Sequence, residues 1–233
     1  MVNDNPNVAA NEVSSMEDAT GDSAAETTAR ENYHHGDLPQ TLMALALSHI
    51  KDHGTEKLSL RALAREAGVS PTAPYKHFPS KQCLLAALAT QGFVNLGKAT
   101  RTAIESTNSL EDRVVAMGMA YIQFAQDNPT AYHLMFGSVL ADFSKYEMLH
   151  NAATSAYDEV NNVLRAIVQE KGLEVDIAML GGVTWSFVHG MASLLIDHVN
   201  LGGPDASPMM SISALDQDPE TAMRTTLTKL LMN

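Results

Sequence analysis

A single cysteine, Cys83, stands in the 233-residue chain. One thiol cannot make an intrachain disulfide, and it leaves no cysteine-based zinc site. Aromatic residues reach only 6% and prolines number nine, which argues against an aromatic-rich β-sandwich. No uninterrupted apolar run attains the roughly 18 residues of a membrane span, so no membrane partner is expected. The opening MVNDNPNVAANEV has neither the basic patch nor the apolar stretch of a secretory signal. With the lone thiol, this makes a reducing cytoplasm the expected compartment.

What the chain does have is an ordinary apolar fraction of 45% and a net charge of −12. The first excludes wholesale disorder. The second would argue against nucleic acid, but the charge is unevenly spread. Residues 1–30 hold six acids and one base, residues 31–81 five acids and six bases, and residues 82–233 sixteen acids and eight bases. Five of the nine histidines, His34, His35, His49, His53 and His77, also fall in the middle block. Three regions are therefore expected: a disordered acidic tail over 1–30, a comparatively basic module over 31–80, and an acidic body over 81–233. The tail is rich in Asn, Ser, Thr, Ala and Glu and lacks the apolar surface to offset chain entropy.

From residue 37 helical periodicity dominates, and no segment alternates as a strand would. Asp37, Pro39 and Gln40 suit the start of a helix whose apolar face is Leu38, Leu42, Leu45, Ala46 and Ile50, ending at Gly54. Ser59 is placed to cap a second helix with Leu60, Leu63, Ala64 and Ala67 on one side, stopped by Gly68. Ser70-Pro71 is expected to open a third, short helix, and Ser80 to cap a long fourth. Further helices are expected at about 109–127, 129–140, 144–171, 175–200 and 218–232, with a loop over 200–219. The expected fold class is all-α: an N-terminal three-helix module followed by a larger helical domain.

The stretch LSLRALAREAGVSPTAPYKHF, residues 58–78, reads as a helix-turn-helix. Ala64 is small enough for a crossing helix, and Gly68 suits a left-handed turn. Val69 and Phe78 plug the corner. With Ser70 as cap, the third helix would offer its amide end outward, where it can meet a major groove or a phosphate. Thr72, Ala73, Tyr75, Lys76 and His77 then remain on the outer side. Adjacent histidines such as His34-His35 point apart and have no further ligand at a suitable spacing, so no metal site is expected.

With YHHGDL before the first helix, LSLRALAREAGVS across the second and YKHFPSK into the fourth, residues 33–81 resemble the DNA-binding domain of the TetR (tetracycline-repressor-like) family of transcriptional regulators. The resemblance implies that Tyr75, His77 and Lys81 grip backbone phosphates. It implies that Ser59 touches phosphate and that Thr72, Ala73 and Lys76 face base edges, with Arg61 placed to supplement the grip. One departure is Pro74, where the family usually has leucine.

The same resemblance makes residues 81–233 a domain that binds a small-molecule effector and forms a homodimer, here through helices about 175–200 and 218–232. Trp185, His189 and Gly190 form a W-x3-H-G pattern similar to the signature of one TetR C-terminal class. The stripe Ala222, Met223, Thr226, Leu227, Leu230 and Leu231 is the expected second half of the dimer seam. Candidate pocket walls are Met117, Tyr121, Phe124, Tyr132, Met135, Phe136 and Trp185, with His189 as the orienting polar group; plain core packing is the commoner role for any one of the methionine and aromatic positions, and His189 equally suits a buried ring that braces Trp185. The expected activity is that of a regulator, most often a repressor in this family, which binds a palindromic double-stranded operator as a dimer and is released by its effector. No cofactor or metal is implied. Two other classes remain: an all-α enzyme, for which no nucleophile–base pair or phosphate loop is legible, and a protein-binding adaptor, which a weak salt dependence would reveal.

Overall fold

The leucines and alanines that recur at helical spacing from Leu38 onward are buried on one side of successive helices. In order these are α1 (Leu38–His53), α2 (Leu60–Glu66), a 3-10 turn η1 (Ala73–Lys76), α3 (Lys81–Glu105), α4 (Leu110–Asp127), α5 (Pro129–Phe136), α6 (Glu147–Lys171), α7 (Ile177–Asn200) and α8 (Pro219–Met232). There is no strand among the described residues. The structure, a computed structural model, describes residues 37–140, 142–200 and 215–232, without the side chains of 198–200 and 230–232. The acidic stretch 1–30, the His34-His35 pair, most of the expected 200–219 loop and the side chains of Leu230 and Leu231 lie outside the described residues. The chain divides into two units, Met1–Leu38 and Pro39–Asn233, and the helix-turn-helix and the helical body both belong to the second.

Local chemistry sets the helix ends. Ser80 and Ser109 accept the amide protons of Cys83 and Asp112 at 3.1 and 3.0 Å, and Asp176 and Asp218 do the same for Met179 and Thr221. Pro129 occupies the first turn of α5, where a missing amide costs nothing. The backbone of Ser59 sits at the start of α2, but its hydroxyl makes no capping bond. α2 closes in a Schellman motif: Val69 N–H donates to Ala64 at 2.9 Å and Gly68 N–H to Arg65 at 3.2 Å. Gly68 has φ +68° there.

α3 is the central element, lying against α4, α5 and α6, while α4 also meets α7 and α8. Close approach rests on small residues. A Cβ at Gly92 would collide with Met135 of α5, and one at Gly97 would lie 3.7 Å from the Ala156 backbone of α6.

Two features depart from expectation. No apolar run in the sequence is long enough for a membrane, yet α7 brings Ile177–Asp197 into one helix with the length and mean apolarity of a span. Thr184, Ser186, His189 and Ser193 interrupt the run without lowering its average enough. In this fold that helix packs on α4 and α6 and buries Val188, Met191, Ala192, Leu195 and Ile196. In α8, Met223 and Leu227 of the expected seam are buried within the chain, because α8 docks on α4 and Met223 covers Gly118.

Gly68→Ala places a Cβ in a left-handed backbone with open space around it. The cost is conformational, about 1–2 kcal/mol, and urea unfolding should report that loss without a change in the native circular dichroism spectrum.

Candidate DNA interface and candidate effector pocket

The corner formed by α2 and η1 is closed from inside by Leu58, Leu60, Leu63, Ala64, Ala67 and Phe78, all buried. Pro74 is buried as well, filling the position expected of an apolar plug. Around this core Ser59, Arg61, Ser70, Thr72, Tyr75, Lys76 and His77 are exposed or partly so, and Ala73 and Lys81 half-exposed. Tyr75 is 42% exposed, a large aromatic left at the surface.

The third helix is not the expected one. With Pro71 in the first position after Ser70, the first amide able to close an α-helical turn would belong to residue 74, which is proline and has none. The backbone instead makes three-residue turns: Ala73 N–H to Ser70, Tyr75 to Thr72 and His77 to Pro74, at 3.0–3.2 Å. The result is the 3-10 turn η1 in place of an α-helix. Ser70 caps nothing; its hydroxyl lies 3.3 Å from that of Thr72. Lys81, in the first turn of α3, points back to the module and donates to the Glu56 carbonyl at 3.2 Å.

A second site lies among α3, α4, α5, α6 and α7. A narrow cavity of about 60 Å³ is lined by Phe93, Leu96, Thr100, Met117, Gly118, Tyr121, Phe136, Ala153, Ala156, Tyr157, Val160, Thr184, Trp185 and Val188. Four of the expected walls, Met117, Tyr121, Phe136 and Trp185, line it. Phe124 does not: it follows Tyr121 at the right angular position but farther along α4, and faces a groove toward α1 instead. Met135 is fully buried against Gly92. Tyr132 and His189 stand behind the wall. The α3 and α6 walls were not anticipated; the signal was the run of small residues Ala153 and Ala156 followed by Val160, which spacing alone does not separate from ordinary core.

His189 is stacked on Trp185 and on Tyr132, with centroid separations of 4.9 and 5.5 Å, and Phe136 meets it edge-on at 4.7 Å. Its Nδ1 lies 2.7 Å from the Tyr132 hydroxyl and 3.0 Å from that of Tyr121. Burial holds the imidazole below its ordinary pKa, and burial raises both phenols. The neutral ring thus shares hydrogen bonds with both phenol hydroxyls at Nδ1. This cluster braces α4, α5 and α7 against each other.

A histidine with a lowered native pKa binds fewer protons folded than unfolded, so its contribution is present above its ordinary pKa of 6.5 and lost as pH falls below it. Thermal melts between pH 7.5 and 5 should show stability falling toward acid. His189→Gln should flatten that part of the profile, and an unchanged slope would mean that this ring does not titrate with unfolding.

Comparison with known proteins agrees with both halves. The family described as "Bacterial regulatory proteins, tetR family" matches residues 42–88, and "Tetracyclin repressor-like, C-terminal domain" matches residues 114–215. A structure of a protein of unknown function from Rhodococcus sp. RHA1 is 31% identical, covers 84% of this chain and 98% of its own, and superposes with a TM-score of 0.67. The nucleoid occlusion factor SlmA of Sodalis glossinidius is 24% identical over 173 residues, 72% of this chain and 86% of that protein. The transcriptional regulator FadR from Bacillus subtilis, solved with stearoyl-CoA, shares the fold at 10% identity and a TM-score of 0.64, over 82% of this chain and 97% of FadR. The chain belongs to the tetR family of bacterial regulatory proteins and is a DNA-binding transcriptional regulator.

Proposed function

We propose that this regulator is a homodimeric repressor that holds a palindromic operator and lets go when a small molecule enters the cavity of its helical body. The observation that carries the reading is the continuity of α3. Its first turn holds Lys81 beside the helix-turn-helix, and its later turns supply Phe93, Leu96 and Thr100 to the cavity. A molecule that parts α3 from α6 therefore tilts the helix on which the DNA module sits. The two states must differ in effector affinity for this to work.

On the DNA side, Tyr75, His77 and Lys81 serve as phosphate grips, with Ser59, Arg61 and Ser70 around them, while Thr72, Ala73 and Lys76 meet base edges. The uncapped hydroxyl of Ser59 and the exposure of Tyr75 and Lys76 support these roles. Because η1 is a short 3-10 turn, few side chains reach the groove, and Lys76 carries the largest share of sequence preference. A duplex selected from a random pool supplies the operator. Lys81→Ala should weaken every duplex and lower the log-log salt slope by about 1. Lys76→Ala should change which sequences are selected; an unaltered selection would remove Lys76 from the reading face.

Dimerisation supports the two half-sites, spaced about 34–36 Å apart in such complexes. The outer face of α7 leaves Met179, Val183 and Leu194 at 70, 44 and 43% exposure, interleaved with Gly182, Ser186 and Gly190. A partner's α7 crossing there buries them. Val183→Lys with Leu194→Glu should yield a folded monomer in sedimentation and at least tenfold weaker operator binding; a persistent dimer would locate the seam elsewhere.

A further inference from the structure

A hydroxyl side chain on a helix has a ready partner, the carbonyl one turn back. In α3, Thr90 and Thr100 donate to Ala86 and Leu96 at 2.7 and 3.0 Å, and in α7 Ser186 donates to Gly182 at 2.7 Å. Thr184, two residues before Ser186, does not follow them. It lines the cavity, is 1% exposed, and its Oγ1 has no partner. A threonine hydroxyl can donate and accept, and here both capacities are open. Native proteins leave few buried polar atoms in that state. Among the described lining residues, Thr184 is the one whose hydroxyl is buried without a partner. Most of the wall around it is apolar or aromatic, with Phe93, Met117, Phe136, Trp185 and Val188 prominent, and no described lining residue is acidic or basic. An ion entering here would shed its water without a counter-charge. The volume of about 60 Å³ has room for roughly four to six waters at the ~10–15 Å³ that one occupies, so the occupant is small.

We infer, building on the effector reading above, that the cavity takes a small, uncharged, mainly apolar molecule that carries one hydrogen-bonding atom, donor or acceptor, and seats it at the Thr184 hydroxyl. The apolar part then runs along Phe93, Phe136 and Trp185. Thr184 is the residue that distinguishes such a molecule from one without a hydrogen-bonding atom, because its hydroxyl can answer either sense. The absence of charge on the described walls sets the second preference, for neutral molecules over ions.

Probes of about five non-hydrogen atoms match that room and test this on the full chain. They are butan-1-ol, which donates and accepts; diethyl ether, which only accepts; 1-chlorobutane, whose chlorine bonds hydrogen poorly; and the ions butylammonium and propanoate. Trp185 is the sole tryptophan and lines the cavity, so its emission maximum reports occupancy; affinity for the selected duplex is read in parallel. On the unaltered chain both ions should bind at least tenfold more weakly than butan-1-ol. Thr184→Val keeps the shape and removes the hydroxyl. It should lower the affinity of the alcohol relative to 1-chlorobutane about tenfold, and that of the ether likewise. Thr184→Ser should restore both ratios. The valine variant should melt no lower than the parent, since the hydroxyl it removes has no partner. An ion as the tightest ligand, binding of none of the probes, or either ratio unchanged by Thr184→Val overturns the inference. The comparison of ions with neutral probes needs no variant and decides even if the valine chain fails to fold. A butan-1-ol complex that keeps full DNA affinity leaves the inference standing and removes the effector role of the cavity.

Discussion

The packing of α3 against α4, α5 and α6 holds the DNA-facing turn and the cavity in one frame. A 25-residue helix is about 37 Å long, enough to start beside the DNA module and end beyond the cavity. Gly92 lets Met135 lie directly over it, where a Cβ would collide, and Gly97 faces Ala156 at ordinary contact distance. Dense packing of this kind transmits a displacement instead of absorbing it. The turn that holds Lys81 and the residues Phe93, Leu96 and Thr100 of the cavity wall therefore belong to one helix.

Polar groups inside the body fall into two sets with different consequences. The cluster of His189, Tyr121 and Tyr132 is closed on itself by stacking and hydrogen bonds, and burial keeps all three neutral. It fixes the relative placement of three helices. The Thr184 hydroxyl and the Asn161 side-chain oxygen are buried and unmatched, and Thr184 lines the cavity. Thr184 and His189 both stand on α7. Their spacing turns them to different sides of a helix with about 3.6 residues per turn.

The DNA-facing turn carries its own local constraint. Pro74 denies the backbone its first α-helical hydrogen bond, and the chain answers with successive three-residue turns. A 3-10 turn is tighter and shorter, so the exposed side chains of Thr72, Tyr75, Lys76 and His77 project from a compact knob. Pro74 also fills the corner, which keeps the module's core intact while its outer geometry changes.

Much of the architecture was legible in the chain. Periodic leucines and alanines, Ser80 before the long fourth helix and Gly68 at the turn named most helices and the helix-turn-helix, because these are short-range effects set by neighbouring residues. The substitution of a 3-10 turn for the third helix was also written there, in two prolines three apart, but its consequence required counting which amide had to donate first. Four of the seven expected walls, Met117, Tyr121, Phe136 and Trp185, line the cavity, since they share helix faces with the interior. Phe124 and Met135 do not line it, because angular position on a helix says nothing of height along a neighbour. On α8, Met223 and Leu227 are buried against their own chain, and apolarity alone does not reveal whether such a face meets its own chain or another. Helices, their ends and the family thus followed from residue order, because backbone chemistry within a few residues governs them. Which buried oxygens go unmatched and which apolar face stays open emerged with the packing alone, because both depend on where distant helices come to rest.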